Sequence, residues 1–143
     1  MHFGLASVLR LPARAALISG LAGLFGLCAL PACDDAQPFI ESTTVLSDTT
    51  DTVGPYVVQS IIVNAGGDDI VELRYFVDDQ SQFIPLLMQA DQDGERHEVG
   101  IPGRPAGSTI SYYVTVLRDG ARVADDPGAG AAQPYQFNVL SPD

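Results

Sequence analysis

The sequence beyond residue 55 predicts an all-β fold, an antiparallel β-sandwich or barrel, on three observations. Short runs of β-branched and aromatic residues recur along it, and each run is bounded by Gly, Asp or Pro. The runs follow one another at a spacing of about a dozen residues, as strands joined by tight turns do. No stretch in this part of the chain carries the apolar period of an amphipathic helix.

The first two runs are predicted as neighbouring strands joined by a turn. Residues 56–63 are apolar on both alternating faces, which predicts a strand that is central in its sheet or covered on its second face. The turn NAGGDD follows at residues 64–69. Residues 70–78 alternate cleanly, so one set of side chains should face the core and the other should face outward. The core set is Val71, Leu73, Tyr75 and Val77, and the outward set is Glu72, Arg74, Phe76 and Asp78.

Three later runs extend this strand pattern. Residues 83–90 contain Pro85, which cannot donate to a strand ladder and therefore predicts an edge strand. The turn DQDGE at residues 91–95 leads to a run with His97, Val99 and Ile101 on one face. The best-defined run lies within residues 101–120. There Ile110, Tyr112, Val114 and Val116 point one way, and Ser111, Tyr113, Thr115 and Leu117 point the other.

A family resemblance rests on residues 101–116, IPGRPAGSTISYYVTV. The order of an apolar residue, a Pro-rich turn, Gly and Tyr-x-Val-x-Val resembles strand F of fibronectin type III and immunoglobulin-like modules. GPYVV near the start and PYQFNV near the end extend the likeness over residues 54–140. The resemblance implies an immunoglobulin-like antiparallel β-sandwich of about seven strands without catalytic residues. It also implies that Tyr112 is the tyrosine-corner residue, whose hydroxyl bonds back to the preceding loop.

The amino-terminal segment has the three parts of a secretory signal. Arg10 and Arg14 stand in a region without acidic residues, and an uncharged run follows from Ala15 to Ala32. The stretch AALISGLAGLFGLCAL covers 16 residues, fewer than the roughly 20 that a membrane-spanning helix needs. A removable signal is therefore the expectation, and a retained single-span anchor is the alternative.

The signal ends in Leu30-Pro31-Ala32-Cys33, which resembles a bacterial lipobox. The resemblance implies that Cys33 receives a diacylglyceryl group, that cleavage occurs before it, and that its new amine is acylated. Cys28 lies within the removed signal, so no intramolecular disulfide could form. The predicted organisation is a signal peptide at 1–32, a lipidated cysteine and Ser/Thr/Asp-rich tether with one edge strand at 33–54, and the sandwich at 55–143.

Charge separates sharply at the predicted cleavage site. All 18 acidic residues lie beyond Cys33 together with five of the seven arginines, which gives this part a net charge of −13. Such a surface repels nucleic acid and anionic lipid headgroups, so neither is expected as a partner.

The acidic turns and the lone histidine beyond Cys33 are the candidates for a chemical site in this part of the chain. With Gly94 at the sixth position of an EF-hand loop, Gln89 and Gly100 fall at the first and twelfth, so two ligands are missing. A hairpin turn is the better interpretation of DQDGE, although weak calcium binding by acidic turns stays open. His97 is predicted to be partly buried and hydrogen-bonded, because no G-x-S-x-G motif or zinc ligand set accompanies it. We therefore expect no metal, no cofactor and no enzymatic activity.

Two functions are compatible with this sequence. In the first, a lipoprotein of the bacterial cell envelope, facing the periplasm or the cell exterior, uses its sandwich to bind a protein or glycan partner. In the second, an accessory lipoprotein has a structural role and no specific ligand. The candidate partner face consists of Phe76, Tyr113 and Leu117, which share one outer sheet face if their two strands are neighbours. The alternative is that these side chains form cross-strand pairs that only stabilise the sheet.

Overall fold

The computed structural model describes residues 36–142, and these residues form an all-β, immunoglobulin-like sandwich of two antiparallel sheets. Within them there is no α-helix, so no described helix is long and apolar enough to cross a bilayer. One 3₁₀ turn spans Gly130–Ala132. The strands are β1 (Phe39–Thr43), β2 (Tyr56–Val63), β3 (Ile70–Val77), β4 (Ile84–Leu87), β5 (Gln89–Ala90), β6 (Arg96–Ile101), β7 (Thr109–Arg118), β8 (Ala121–Asp126) and β9 (Tyr135–Asn138).

The described chain has nine strands where about seven were expected, because one expected strand is divided and the last edge is formed by two short strands. The run predicted at residues 83–90 forms β4 in one sheet and then crosses to form β5 in the other. The last edge is also divided, since β8 and β9 pair with successive parts of β7. The predicted edge position of the Pro85 strand is confirmed in both sheets.

The first sheet has the order β1-β2-β6-β5, and the second has the order β4-β3-β7 followed by β8 and β9. Of the two alternatives predicted for β2, the central position is the one observed, because β2 pairs with β1 on one side and β6 on the other. Strands β3 and β7 are neighbours, with pairs running from Ile70 and Leu117 to Val77 and Ile110. This register fixes which side chains share a face.

The core lies between the two sheets and contains the side chains that alternation assigned to it. Each core side chain named here is at most 7% exposed, because successive residues of a strand point to opposite sheet faces. The core members from β3 are Val71, Leu73, Tyr75 and Val77, and those from β7 are Ile110, Tyr112, Val114 and Val116. Strands β2, β6 and β9 add Tyr56, Val58, Ile62, Ile101 and Phe137.

The stretch predicted as a tether belongs to the sandwich from Phe39 onward. Strand β1 pairs with β2, Leu46 packs against the core, and Thr49 forms a bridge with Val139. The expected boundary at residue 54 is therefore wrong, although the expected edge strand is present. Polar composition suggested a loose chain, but an edge strand needs only backbone partners and a few inward contacts. The predicted signal and Cys33 lie outside the described residues.

Candidate functional site

The three residues of the predicted partner face lie on the outer face of the second sheet, opposite the core. Phe76, Tyr113 and Leu117 occupy the expected face of β3 and β7. This face is not an open aromatic surface, however, because Tyr113 is only 2% exposed. The ring of Phe83, from the chain before β4, lies edge-on 4.7 Å from the Phe76 ring and 4.9 Å from the Tyr113 ring.

A second layer covers the same face from the β8 side. The Arg122 guanidinium carbon lies 5.6 Å from the centre of the Tyr113 ring, and Arg122 forms an ion pair with Asp125. Gly130 packs on this pair so closely that a Cβ there would lie 2.7 Å from Arg122 Nη2. The expectation of an exposed stacking patch is thus wrong at Tyr113. Alternation identified the side opposite the core, but exposed aromatic area is unfavourable in water and neighbouring segments cover it.

Tyr112 is buried as expected, but its hydroxyl has a different partner from the one implied by the tyrosine corner. It donates to the Thr44 carbonyl at 2.7 Å and accepts the Leu46 N–H at 2.8 Å. These residues lie in the segment after β1, whereas the loop directly before β7 was expected. Burial raises the pKa of Tyr112, so the phenol stays protonated and able to donate. The residue holds residues 44–46 against the sandwich.

His97 and the DQDGE turn, the other two candidates from the sequence, make contacts that stabilise the fold. His97 is 7% exposed, and its Nδ1 lies 3.4 Å from the Glu95 carbonyl oxygen. DQDGE forms a turn in which the Gly94 N–H donates to Asp91 Oδ1 at 2.9 Å, with Gly94 at a φ of +76°. Among residues 36–142, no three His, Cys, Asp or Glu side chains form a group that could hold a metal ion.

The two ends of the sandwich each carry a cleft. We call the end formed by the 64–69 loop and the β7–β8 turn the N-terminal end, because Ala36 lies there. The distal end is formed by the turn after β3 and the β6–β7 loop. The eight residues of β3 separate the two ends, a length of about 25 Å at the rise of a strand.

The distal cleft has a volume of about 470 Å³ and lies between residues 77–80 and residues 104–108. Its main polar group is Arg104, whose Nη2 donates to the Tyr75 hydroxyl at 3.0 Å. The guanidinium carbon lies 5.7 Å from the centre of the Tyr75 ring. Arg104 Nε is buried and has no acceptor among the described residues. No described carboxylate forms an ion pair with Arg104.

Close backbone contacts fix the loop that carries Arg104. The Arg104 N–H donates to the Tyr56 hydroxyl at 3.2 Å, and that hydroxyl donates to the Asp51 carbonyl at 2.7 Å. Gly103 lies directly against the Val53 carbonyl, so a Cβ at this position would clash with backbone. Only glycine therefore fits there, and the arginine is held in place by its backbone as well as by Tyr75.

The opposite wall of the distal cleft provides acceptors. Asp78 has a positive φ of 54°, and its Oδ1 accepts the Thr109 N–H at 2.9 Å. Asp79 and Gln80 are exposed, and the Asp79 carboxylate has no hydrogen-bond partner among residues 36–142. Ser108, at the base of the loop, is 5% exposed. The cleft thus brings the Arg104 donors and the Asp78 and Asp79 carboxylates to one concave surface.

Sequence reasoning placed Asp78 on the outward face at the end of a strand and did not single out Arg104. One signal was present: Arg104 stands in a Gly- and Pro-rich loop with no acidic residue between Glu98 and Asp119. An arginine without a local acidic neighbour must find its partner elsewhere in the fold or in a ligand.

The N-terminal cleft has a volume of about 410 Å³, and its arginine is paired. Arg118 donates to Asp69 through two bonds of 2.8 Å each. Asp69 Oδ2 also accepts the Gly66 N–H at 2.7 Å. The side chain of Asp69 is 2% exposed, and the bonds from Arg118 hold its pKa below the usual range. This arrangement closes the 64–69 loop and satisfies the carboxylate.

No family model matches the chain, and no curated protein matches it. Among solved structures, one similar chain is the carbohydrate binding module of the muscle glycogen-targeting subunit of protein phosphatase-1. The two are 15% identical with a TM-score of 0.47, and the match covers 75% of this chain and 78% of that one. No function is carried over from that protein.

Proposed function

We propose that the chain is a lipid-anchored protein of a bacterial cell envelope, and that its sandwich is a non-catalytic binding module for a protein or glycan. The observation that carries the binding role is Arg104, an arginine fixed in an open cleft without a described carboxylate partner. A buried or half-buried arginine is normally paired. An external acceptor is the simplest partner for the donors that remain.

The anchor is proposed from the sequence. Arg10 and Arg14, the uncharged run and the lipobox-like residues 30–33 support a lipoprotein signal. Cys33 lies six residues before Phe39, and β1 starts at the N-terminal end of the sandwich. An anchor at Cys33 would therefore join the chain that enters the sandwich at its N-terminal end, and Arg104 lies at the distal end of the sandwich.

Mass spectrometry of the membrane fraction tests the anchor. We expect the mature chain to begin at an acylated Cys33, and we expect Cys33→Ser to accumulate as an uncleaved precursor. A membrane-free chain cut at another residue, with an unmodified Cys33, would contradict the proposal.

Site-specific photocrosslinking in the native envelope tests the binding role. A photoreactive residue at Gln80 reports on the distal cleft, and one at Asp93, in the turn before β6 at the opposite end, is the matched control. We expect a crosslinked protein or glycan from position 80 and none from position 93. Equal products at both positions, or none at either, would contradict a binding site at the distal end.

A further inference from the structure

We propose that the distal cleft binds a neutral, hydroxyl-rich sugar chain, held between the Arg104 guanidinium and the carboxylates of Asp78 and Asp79. This inference rests on the proposed binding function and names the ligand class of the same site. Three properties of the cleft carry it: fixed donors that lack acceptors, facing acceptors that lack donors, and a lining without large exposed apolar side chains.

The donors belong to Arg104. A guanidinium has five N–H groups, and the Tyr75 hydroxyl is the only acceptor that residues 36–142 give them. The Arg104 backbone is held by the Tyr56 hydroxyl and its guanidinium by the Tyr75 hydroxyl, so the fork of donors is positioned before any ligand arrives. A donor held in this way loses little conformational freedom on binding.

The acceptors belong to the turn after β3. Asp78 uses one carboxylate oxygen on the Thr109 N–H, which fixes the turn, and Asp79 has no partner among the described residues. A ligand between the two walls must accept hydrogen bonds from Arg104 and donate them to Asp78 or Asp79. A hydroxyl group does both, because it has one donor hydrogen and two acceptor lone pairs.

Charge separates a neutral sugar from ionic ligands. An anionic ligand would meet two carboxylates in the cleft and a net charge of −13 on the chain beyond Cys33, which disfavours it. A cationic ligand would be attracted by the carboxylates, but an ammonium group has no acceptor for the Arg104 donors. A neutral polyhydroxylated ligand uses the donors and the acceptors without an unpaired charge of its own.

The lining of the cleft favours a sugar over a protein partner. Protein interfaces depend on apolar and aromatic anchors in their buried centres, and none of the large exposed apolar side chains lines this cleft. Those side chains are Phe39, Val45, Val53, Val57, Ile70, Ile84, Leu87 and Leu140. The volume of about 470 Å³ lies within the range of small-ligand sites.

A glycan array tests the inference with the full chain, kept in a detergent that contains no sugar group. The probes are immobilised neutral oligosaccharides of glucose, galactose, mannose and N-acetylglucosamine, with oligogalacturonate and an uncharged oligopeptide as the other ligand classes. Arg104→Ala is compared with Arg96→Ala, which removes the same charge from an exposed position outside the cleft. Arg104→Lys and Asp79→Asn test the donor fork and the facing acceptor, and circular dichroism checks that each variant is folded.

We expect the full chain to bind at least one neutral oligosaccharide and to lose at least about tenfold in affinity with Arg104→Ala, the scale of a charged hydrogen bond. Arg96→Ala should bind unchanged, and Arg104→Lys and Asp79→Asn should bind more weakly than the unsubstituted chain. Sugar binding that is unaffected by Arg104→Ala would remove the cleft and leave a binding module with another site. Binding to oligogalacturonate or the peptide alone, or to no probe, would overturn the proposal of a neutral sugar ligand. The proposed binding function is tested separately by the crosslinks from position 80.

Discussion

The two ends of the sandwich place similar residues in opposite circumstances. At the N-terminal end, Arg118 meets Asp69 in a two-bond ion pair and the carboxylate is almost fully buried. At the distal end, Arg104 donates to the Tyr75 hydroxyl, and the exposed Asp79 lines the same cleft. Each end therefore has an arginine and two adjacent aspartates, but among the described residues they form an ion pair with each other only at the N-terminal end.

The difference shows that charge composition in a loop does not tell whether the loop is structural or available. Asp68-Asp69 and Asp78-Asp79 are identical dipeptides. The first directly precedes β3, and the second directly follows it. What separates them is whether an arginine of the same end reaches the carboxylate with good geometry. A satisfied pair stabilises its own loop, and unsatisfied groups are left for a partner.

The largest effect on stability is expected from Asp69→Ala. The substitution removes both bonds from Arg118 and the bond from the Gly66 N–H, so the 64–69 loop loses three of the hydrogen bonds that close it. We expect a loss of about 2 to 3 kcal/mol in the free energy of unfolding, measured by urea denaturation. Asp68→Ala, at the exposed neighbouring position, is the control and should change it by less than about 0.5 kcal/mol. Equal losses would show that the ion pair does not hold this end.

Acid should weaken the N-terminal end through the same carboxylate. The pKa of Asp69 is lowered in the folded chain, chiefly by the bond from Arg118. Its stabilisation is therefore present above about pH 3.9, the pKa of an unfolded aspartate, and is lost as the pH falls through the lower folded value. We expect the free energy of unfolding to fall more steeply below pH 4 in the unsubstituted chain than in Asp69→Asn. Parallel pH profiles would contradict this assignment.

A smaller effect is expected from Arg104→Ala, in contrast to Asp69→Ala. Arg104 makes one side-chain hydrogen bond and one contact with the Tyr75 ring, and its buried Nε has no described acceptor. An unpaired buried donor is unfavourable, so its removal offsets part of what is lost. We expect a decrease of no more than about 1 kcal/mol, measured by the same urea denaturation. A loss as large as that from Asp69→Ala would mean that Arg104 is a structural residue.

The smallest effect is expected from Tyr75→Phe, which removes only the acceptor of Arg104. The ring and its packing remain, and the guanidinium group that loses this acceptor faces the cleft. We therefore expect the free energy of unfolding, measured by urea denaturation, to fall by about 0.5 to 1 kcal/mol or less. Tyr135→Phe is a matched comparison, because the Tyr135 hydroxyl donates to both carboxylate oxygens of Asp126 at 3.0 and 3.1 Å. That substitution should cost more. The reverse order would place the stronger structural bond at the distal end.

Strand positions and faces could be predicted from the sequence because alternation is a local property. The core sets of β3 and β7 follow from it. The turn around Gly94 was predicted from the turn residues of DQDGE, and the pairing of β3 with β7 was only a condition of the predicted partner face. The cover of Tyr113 by Phe83 could not be predicted, because it depends on the path of a loop over the sheet. The same holds for the distal cleft, which joins residues 78 and 104 through tertiary structure.

The composition of residues 34–54 predicted a flexible tether, and this was wrong from Phe39 onward for a related reason. Ser, Thr and Asp predominate there, which is typical of flexible chains. In the fold, residues of this segment are held in a fixed conformation by residues distant in sequence. These partners are the backbone of β2 and the hydroxyl of Tyr112. Such partners leave no periodic signal in the segment that they fix.

The pairing of β1 with β2 has a mechanical consequence if the chain is anchored at Cys33. A pull from the membrane would enter at Phe39 and run along β1, while the hydrogen bonds to β2 lie across that direction. Load along a strand strains all of these bonds together, whereas a pull across the sheet would break them one after another. The hydroxyl of Tyr112 is hydrogen-bonded to the backbone of Thr44 and Leu46 just beyond β1. These bonds would also resist the pull. In single-molecule stretching from residue 33, Tyr112→Phe should therefore lower the rupture force. The first strand after the membrane anchor, β1, would then be the element that resists tension.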